Sequence, residues 1–290
     1  RYCMSLAGVL ADISTRLARA GVPSPSVDAE FLLAHVTGLS RGELLAKIHQ
    51  GLELEQAQLA ELDVLVVRRE AREPLQHLLG VAGFMAFEVR VGPGVFVPRP
   101  ETESLAERAI QSASAMAIWD QGLQIVDLCS GSGVLAIALA RAIPHATVHA
   151  LELSDEAIPY LRRNVADLAP EVQITQGSVA HWASTVEASS LDLVVSNPPY
   201  VPDAEIPNDP EVQLFDPALA LYGGEDGLDV VRVIVEGAFR AVRPGGVLML
   251  EHSNLQGAAV RDVLEGYGFR TVSTEKDLVG RDRFTQGYRP

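Results

Sequence analysis

The sequence predicts an α/β fold: a mainly parallel sheet with helices on both faces, preceded by a small helical region. Three observations lead there. From about residue 123 onward, short apolar runs alternate with amphipathic stretches, as repeated strand–helix units do. The first eighty or so residues carry helical spacing and no strand pattern. Hydrophobic residues make up 48% of the 290, enough for a sizeable core without disulfide or metal staples.

The front reads as short helices. Leu6, Leu10, Ile13 and Leu17 share one face, and Gly21 and Pro23 stop that helix. Ser26 is the expected cap of the next, with Asp28 and Glu30 in a first turn where the helix dipole favours negative charge. Ser40-Arg41-Gly42-Glu43 is a capping-box pattern. A longer helix is expected over residues 54–72, ended by Pro74. At Phe84 the period changes. Residues 84–91 look extended, Gly92-Pro93-Gly94 turns, and Val95-Phe96-Val97 follows, a hairpin signal. The expected division is therefore a helical domain over residues 1–82, a β-hairpin linker over 83–98 and a sheet domain over 99–290.

In the sheet domain, strands are expected at residues 123–128, 147–151, 172–175, 191–195, 247–250, 270–273 and 284–288. Helices are expected at 101–117, 134–142, 155–167, 228–242 and 256–266.

A net charge of −15 repels a phosphate backbone at long range and weighs against a nucleic-acid substrate. Cys3 and Cys129 are too few for a disulfide framework or a thiolate metal site, and fit a reducing cytoplasm. The opening RYCMSLAGVL does not read as a signal peptide, because its apolar stretch is short and Asp12 follows. No apolar run approaches the roughly 20 residues of a membrane helix. A cytoplasmic protein without metal is expected.

Two segments carry chemistry. Asp127-Leu128-Cys129-Ser130-Gly131-Ser132-Gly133 lies between a strand and a helix, where glycines let backbone approach a ligand and the helix N-terminus offers N–H groups. The next strand ends at Glu152, placed to accept ribose hydroxyls. An isolated glycine pair is often just a tight turn, but turn and acid on consecutive strands favour a nucleoside. Ala136 stands where a dinucleotide fold prefers its third glycine, so the turn suits S-adenosylmethionine better than a pyrophosphate.

The second segment is Ser196-Asn197-Pro198-Pro199-Tyr200, at the end of the 191–195 strand. Prolines fix φ and remove donors, leaving rigid carbonyls. A carboxamide nitrogen is a poor nucleophile because its lone pair is delocalised. The Asn197 side-chain oxygen and the Pro198 carbonyl can grip its two hydrogens, and Tyr200 offers a flat face. Such positioning is worth about 7–11 kcal/mol of barrier. Pro-Pro alone would be an ordinary loop; after a nucleoside-type turn, Asn-Pro-Pro-Tyr reads as a methyl-acceptor clamp. His252 reads as a satisfied strand-end histidine, Cys129 as a small turn residue and Glu225-Asp226 as a solvated loop. His35, His49 and His77 read as surface or packing residues of the helical front.

These segments, with GFMAFEVRVGPGVFVPRPETE (83–103), LEHSNLQG (250–257), Phe215 to Leu221 (FDPALAL) and GRDRF (280–284), closely resemble the release factor glutamine methyltransferases, the HemK or PrmC family. Pro-Arg-Pro-Glu-Thr-Glu makes the resemblance specific, since Asn-Pro-Pro-Tyr is shared with other amino methyltransferases. The resemblance implies a seven-stranded Rossmann-like class I methyltransferase sheet behind a helical, substrate-docking domain. It implies methyl transfer from S-adenosyl-L-methionine, leaving S-adenosyl-L-homocysteine, to the Gly-Gly-Gln glutamine of class I peptide chain release factors. The implied cofactor contacts are Cys129, Ser130, Gly131, Ser132, Gly133, Glu152, Ser178, Trp182 and Asn197. Asn197, Pro198, Pro199 and Tyr200 would hold the glutamine, with Asn197, Pro198 and Tyr200 catalytic. The sequence departs from the family pattern at Cys129, usually glycine, at Glu152, often Asp, and at Ser178, often an acid. Three other classes share parts of this pattern: an adenine-N6 nucleic-acid methyltransferase, a nicotinamide oxidoreductase and a non-catalytic S-adenosylmethionine-binding adaptor.

Overall fold

A computed structural model describes residues 5–48, 50–51, 53–119 and 122–290; Cys3 and His49 lie outside them. In chain order the helices of the first part are α1 (Leu6–Arg19), α2 (Pro25–Thr37), α3 (Arg41–Ile48), α4 (Gln56–Glu70) and α5 (Leu75–Leu79). Then come β1 (Val81–Phe84), β2 (Phe87–Arg90), α6 (Pro100–Ala117), β3 (Gln124–Leu128), α7 (Val134–Ala142), β4 (Thr147–Glu152), α8 (Ile158–Leu168) and β5 (Gln173–Gln176). The rest is α9 (Val179–Thr185), β6 (Leu191–Ser196), α10 (Pro210–Phe215), α11 (Ala218–Leu221), α12 (Asp229–Ala241), β7 (Val242–Glu251), α13 (Gly257–Tyr267), β8 (Arg270–Lys276) and β9 (Asp282–Tyr288).

The chain divides into two compact units, residues 1–81 with 207–215, and residues 82–206 with 216–290. In the first, α1 buries Leu6, Val9, Ile13 and Leu17, the expected face turned slightly, against a core that includes Leu32, Leu33, Leu44 and Val66. Each such side chain contributes about 1.5–3 kcal/mol on leaving water. The capping box forms as expected: Ser40 N–H donates to Glu43 at 2.8 Å and Glu43 N–H to Ser40 Oγ at 3.2 Å. Ser26 is not a cap. Helix α2 starts at Pro25, whose fixed φ and missing N–H suit a first helical position, so Ser24 precedes it. Asp28 is buried and accepts from Arg69 at 2.7 Å.

Sequence reasoning leaves residues 201–227 unassigned, and α10 among them belongs to the helical unit. Its Glu211 meets Arg69 at 2.9 Å and Arg72 at 2.6 Å. Burial alone would raise the Glu211 pKa, but the hydrogen bonds, chiefly from Arg72, outweigh it and hold the group near 2.

The second unit holds a seven-stranded sheet in the order β5-β4-β3-β6-β7-β9-β8. The first five of these strands run parallel, and β9 is antiparallel to both β7 and β8. Central strands are apolar on both faces, as parallel sheets require. Along β3, β6 and β7, Ile125, Leu193, Val195, Val247 and Met249 enter the core shared with α6, α7 and α8. Their neighbours Val126, Leu128, Val194, Leu248 and Leu250 enter the core under α12 and α13. This period of two puts helices on both faces.

The hairpin is displaced from its expected place. β1 and β2 pair in a two-stranded sheet around Met85-Ala86, inside the run expected to be one strand. Met85 takes φ +50° and its N–H donates to Glu103 of α6 at 2.8 Å, a long-range support invisible in local composition. Gly92 to Val95 does turn, but Val95 and Val97 are buried chain outside any strand. Phe84, Val89, Val95 and Val97 all join the core that α6, α7 and α8 share, within the second unit. Strand β7 begins at Val242, five residues before its expected start, because Val242 pairs with Leu191 ahead of an irregularity between Leu191 and Leu193.

Candidate functional site

Strand order places the candidate residues together. β3 has β4 on one side and β6 on the other, so chain direction switches there, and α/β folds bind ligands outside the carboxyl ends of strands at such a point. Leu128 of β3 is level with Leu151 of β4 and with Ser196 of β6, and Ser196 is level with Leu250 of β7. The strand ends therefore present Glu152, the Cys129–Gly133 turn, Asn197 to Tyr200 and Glu251 side by side.

The turn is rigid from beneath. Asp127 is wholly buried and accepts from the Ser130 hydroxyl and, at 3.1 Å, from Ala136 N–H in the first turn of α7. Burial, and secondarily the nearby Glu152 charge, push its pKa up to about 7 despite these bonds. Cys129, Gly131 and Gly133 have φ of +60°, +54° and +93°, so three residues of five are left-handed. Glycine takes such angles without steric cost. A Cβ on Gly131 would meet nothing within 4 Å, so the turn faces open space there. Glu152 Oε2 accepts from Gly131 N–H at 2.7 Å and Oε1 from Ser154 N–H at 2.8 Å. Each carboxylate oxygen keeps a further lone pair for a hydroxyl donor. The Ser130, Gly131 and Gly133 N–H groups are taken by Leu151 O, Glu152 and Ser130 O, so what the turn offers a ligand such as S-adenosylmethionine is open space beside an oriented carboxylate.

Ser178 and Trp182 have structural tasks as well. Ser178 is the N-cap of α9, its Oγ accepting from His181 N–H at 3.1 Å. Helix α9 escapes the sequence reading, although a serine before a helix-forming run is its signal. Ser178 follows β5, level with the end of β4, on the Glu152 side of the turn. Trp182 packs its ring edge on Gly237 of α12, where a Cβ would come within 2.8 Å of Cζ3.

The Asn197 to Tyr200 loop is rigid from both ends. Ser196 Oγ donates to Leu128 O at 2.5 Å, Gln256 Nε2 donates to Tyr200 O at 2.8 Å, and Val201 N–H donates to Leu221 O at 2.8 Å. No hydrogen bond among the described residues ends on the Pro198 carbonyl or on Asn197 Oδ1. Burial, then the Glu251 charge, raise the Tyr200 pKa, so its hydroxyl is protonated. The loop thus offers two fixed acceptors to a group carrying two N–H hydrogens.

Segments far apart in sequence meet on α6. Arg99 lies over the Phe96 ring at 4.9 Å and pairs with Asp216 at 2.6 Å; Glu101 pairs with Arg281 at 3.1 Å. Thr102 is buried and receives a hydrogen bond from Asn197 Nδ2 at 3.4 Å. Sequence reasoning does not single out Thr102, Glu251 or Gln256, although each stands in a segment quoted for its resemblance.

His252 is fully buried between Ser253 O at 2.8 Å and Thr285 Oγ1 at 2.7 Å, with its pKa lowered by burial, so it is a satisfied neutral histidine. Burial raises the Cys129 pKa, which keeps the thiol protonated and unsuited to nucleophilic work. The Glu225-Asp226 loop is partly structural, since Asp226 pairs with Arg232. Among the described residues no three His, Cys, Asp or Glu gather as a metal site, and no helix is long and apolar enough to cross a membrane.

A solved structure with a similar fold is a T. thermophilus 16S rRNA N2 methyltransferase in complex with AdoMet and guanosine. It matches 72% of this chain and 50% of its own with a TM-score of 0.52 at 23% identity. The family model for the PrmC N-terminal domain matches residues 9–80, and the methyltransferase small domain matches residues 112–222. The chain is 45% identical to the release factor glutamine methyltransferase of Streptomyces coelicolor, over 95% of each chain. It is 39% identical to that of Deinococcus radiodurans, over 99% of each. Likeness of this degree, running through both the helical front and the sheet, places the chain in the release factor glutamine methyltransferase family.

Proposed function

We propose that this protein methylates the side-chain amide nitrogen, N5, of the glutamine in the Gly-Gly-Gln motif of class I peptide chain release factors, in the cytoplasm. The observation that carries the chemistry is the pair of unengaged acceptors, Asn197 Oδ1 and the Pro198 carbonyl, on a loop held at both ends. Bound S-adenosylmethionine supplies an electrophilic sulfonium methyl and leaves as S-adenosylhomocysteine. Glu152 holds the ribose, and residues 129–133 surround the amino-acid end. Ser178 and Trp182 lie toward the adenine.

The two acceptors take the carboxamide hydrogens and turn the nitrogen to the methyl group in line, which removes the entropic part of the barrier. They also stabilise the positive charge that grows on nitrogen as it attacks. The proton becomes acidic after transfer, so no general base is needed beforehand. The Tyr200 ring covers the planar amide. The helical unit docks the release factor; Val64 and Val67, exposed on α4, are apolar residues available for this.

The deciding experiment incubates a class I release factor with the protein and S-adenosylmethionine and maps the product by mass spectrometry. One added methyl on the Gly-Gly-Gln glutamine is expected. Methylated DNA or RNA with an unmodified release factor would replace the proposal with an adenine-directed one.

A further inference from the structure

Glu251 ends β7 at the candidate site, 1% exposed, and its Oε2 has no hydrogen-bond partner. A buried carboxyl oxygen without a partner is costly, and natural proteins keep few. The Thr102 and Tyr200 hydroxyls both act on the same carboxyl, favouring its charged form. Thr102 is 2% exposed and also receives Asn197 Nδ2 at 3.4 Å. Four side chains therefore form a chain from the buried carboxyl to the acceptor loop: Glu251 to Thr102 to Asn197, with Tyr200 as a branch.

With Glu251 ionised, the hydrogen-bond polarity along this chain is fixed. An ionised carboxylate only accepts, so the single Thr102 hydroxyl hydrogen goes to Glu251. Thr102 Oγ1 is then left to accept from Asn197. The Asn197 carboxamide must turn its NH₂ to Thr102 and its oxygen to the site. Without the carboxylate, the Thr102 hydroxyl is free to donate to Asn197 Oδ1, and the amide flips. A flipped Asn197 would present hydrogens to the hydrogens of the substrate amide.

We propose that Thr102 and Glu251 are positioning residues that set the orientation of the Asn197 carboxamide, so that its oxygen faces the substrate nitrogen. This rests on the glutamine-methylating function proposed above. It also assigns a task to the threonine of Pro-Arg-Pro-Glu-Thr-Glu and the glutamate of Leu-Glu-His-Ser. Burial holds the Glu251 carboxyl near pKa 7, with Thr102, Arg283 and Tyr200 opposing that rise and Glu101 reinforcing it.

The test uses the full chain with Thr102→Val, Thr102→Ser, Glu251→Leu and Glu251→Gln. Each variant is measured for kcat and KM on a release factor, for S-adenosylmethionine affinity by calorimetry, and for hydrogen exchange of the Asn197 side-chain NH₂ by NMR. Thr102→Val and Glu251→Leu should lose about 10²-fold in kcat, as when one oriented polar group is removed. Their cofactor affinity should stay within about threefold, well inside the tenfold that 1.4 kcal/mol represents. Thr102→Ser and Glu251→Gln keep the acceptor chain and should stay close to wild type. The Asn197 NH₂ should be protected in wild type and Thr102→Ser and lose protection in Thr102→Val. Wild-type kcat in Thr102→Val, an equal loss in Thr102→Ser, or unchanged Asn197 exchange would overturn the proposal. If wild type methylates no release factor, the function fails, and the exchange measurement still decides the orientation of Asn197.

Discussion

Two loops leave neighbouring strands of one sheet and offer a ligand different things. The Cys129–Gly133 turn after β3 offers open space beside the Glu152 carboxylate, shaped by left-handed residues and the start of α7. The Asn197 to Tyr200 loop after β6 presents acceptors, because two prolines remove donors and fix the chain. Each is underlain by a buried carboxyl whose pKa rises to about 7 through burial: Asp127 under the first, Glu251 beside the second. Asp127 spends its hydrogen bonds within its own turn, whereas Glu251 acts on a neighbouring loop through Thr102. A carboxylate beside open space suits hydroxyl donors such as those of a ribose; the acceptor loop suits an NH₂ group.

Asn197→Ala breaks the acceptor side and should have the largest effect, a fall in kcat of about 10²-fold or more. Cofactor affinity should change far less, and steady-state kinetics with calorimetry measures both. Wild-type turnover would remove Asn197 from the mechanism. On the side of the glycine turn, Glu152→Ala should weaken S-adenosylmethionine binding by about 10- to 100-fold, the worth of a hydrogen bond to a charged group. Because Glu152 also holds Gly131 and Ser154, part of the loss comes from a looser turn. At saturating cofactor kcat should recover. A kcat defect larger than the affinity defect would mean that the two loops do not divide the work.

Much of this was open to sequence reading and part was not. The alternation of apolar strands with helices is local, so the sheet and its order of use along the chain follow from residues 123–288. The glycine turn and Asn-Pro-Pro-Tyr are contiguous, so their chemistry is written in neighbouring letters. The place of the hairpin is hidden from local sequence because its turn, Met85-Ala86, contains none of the usual turn residues and is held by Glu103, 18 positions away. Thr102 and Glu251 are inconspicuous in the sequence for the same reason. Their meaning lies in a contact between the start of α6 and the end of β7, which no local period encodes. Helix α10 is the extreme case. It is six residues long, and its place with the helical unit depends on Glu211 finding Arg69 and Arg72, 139 residues from the latter.

The buried carboxyls make stability depend on pH in a direction that can be worked out. Asp127 has an ordinary pKa of 3.8 and a folded value of about 7, so the folded protein binds the extra proton in between. Folding is then favoured most below about pH 4, and that advantage is lost as pH rises through 7. His149 and His252, lowered by burial, tilt the opposite way below their ordinary 6.5. Comparing Asp127→Asn with wild type separates these effects. The asparagine should gain melting temperature relative to wild type as pH rises from 5 to 8, by several degrees at most. A difference that is flat with pH would show that Asp127 is ionised throughout.

Cys129 tests the glycine turn at its finest scale. It stands at φ +60°, where an L-residue costs about 1–2 kcal/mol that glycine does not. Glycine also brings an unfolded-state entropy cost of about 0.5–1 kcal/mol, so Cys129→Gly should lie within about 1 kcal/mol of wild type. Cys129→Ala keeps the strained angle and loses the packing of the half-buried sulfur. Alanine should therefore be the less stable by about 1 kcal/mol, read from urea midpoints at equal m-values. Both should bind S-adenosylmethionine, because the proposed reaction makes no use of the thiol, which burial keeps protonated. If alanine equals glycine, the left-handed angle at 129 is not a source of strain, and the family's usual glycine there answers to space for the cofactor instead.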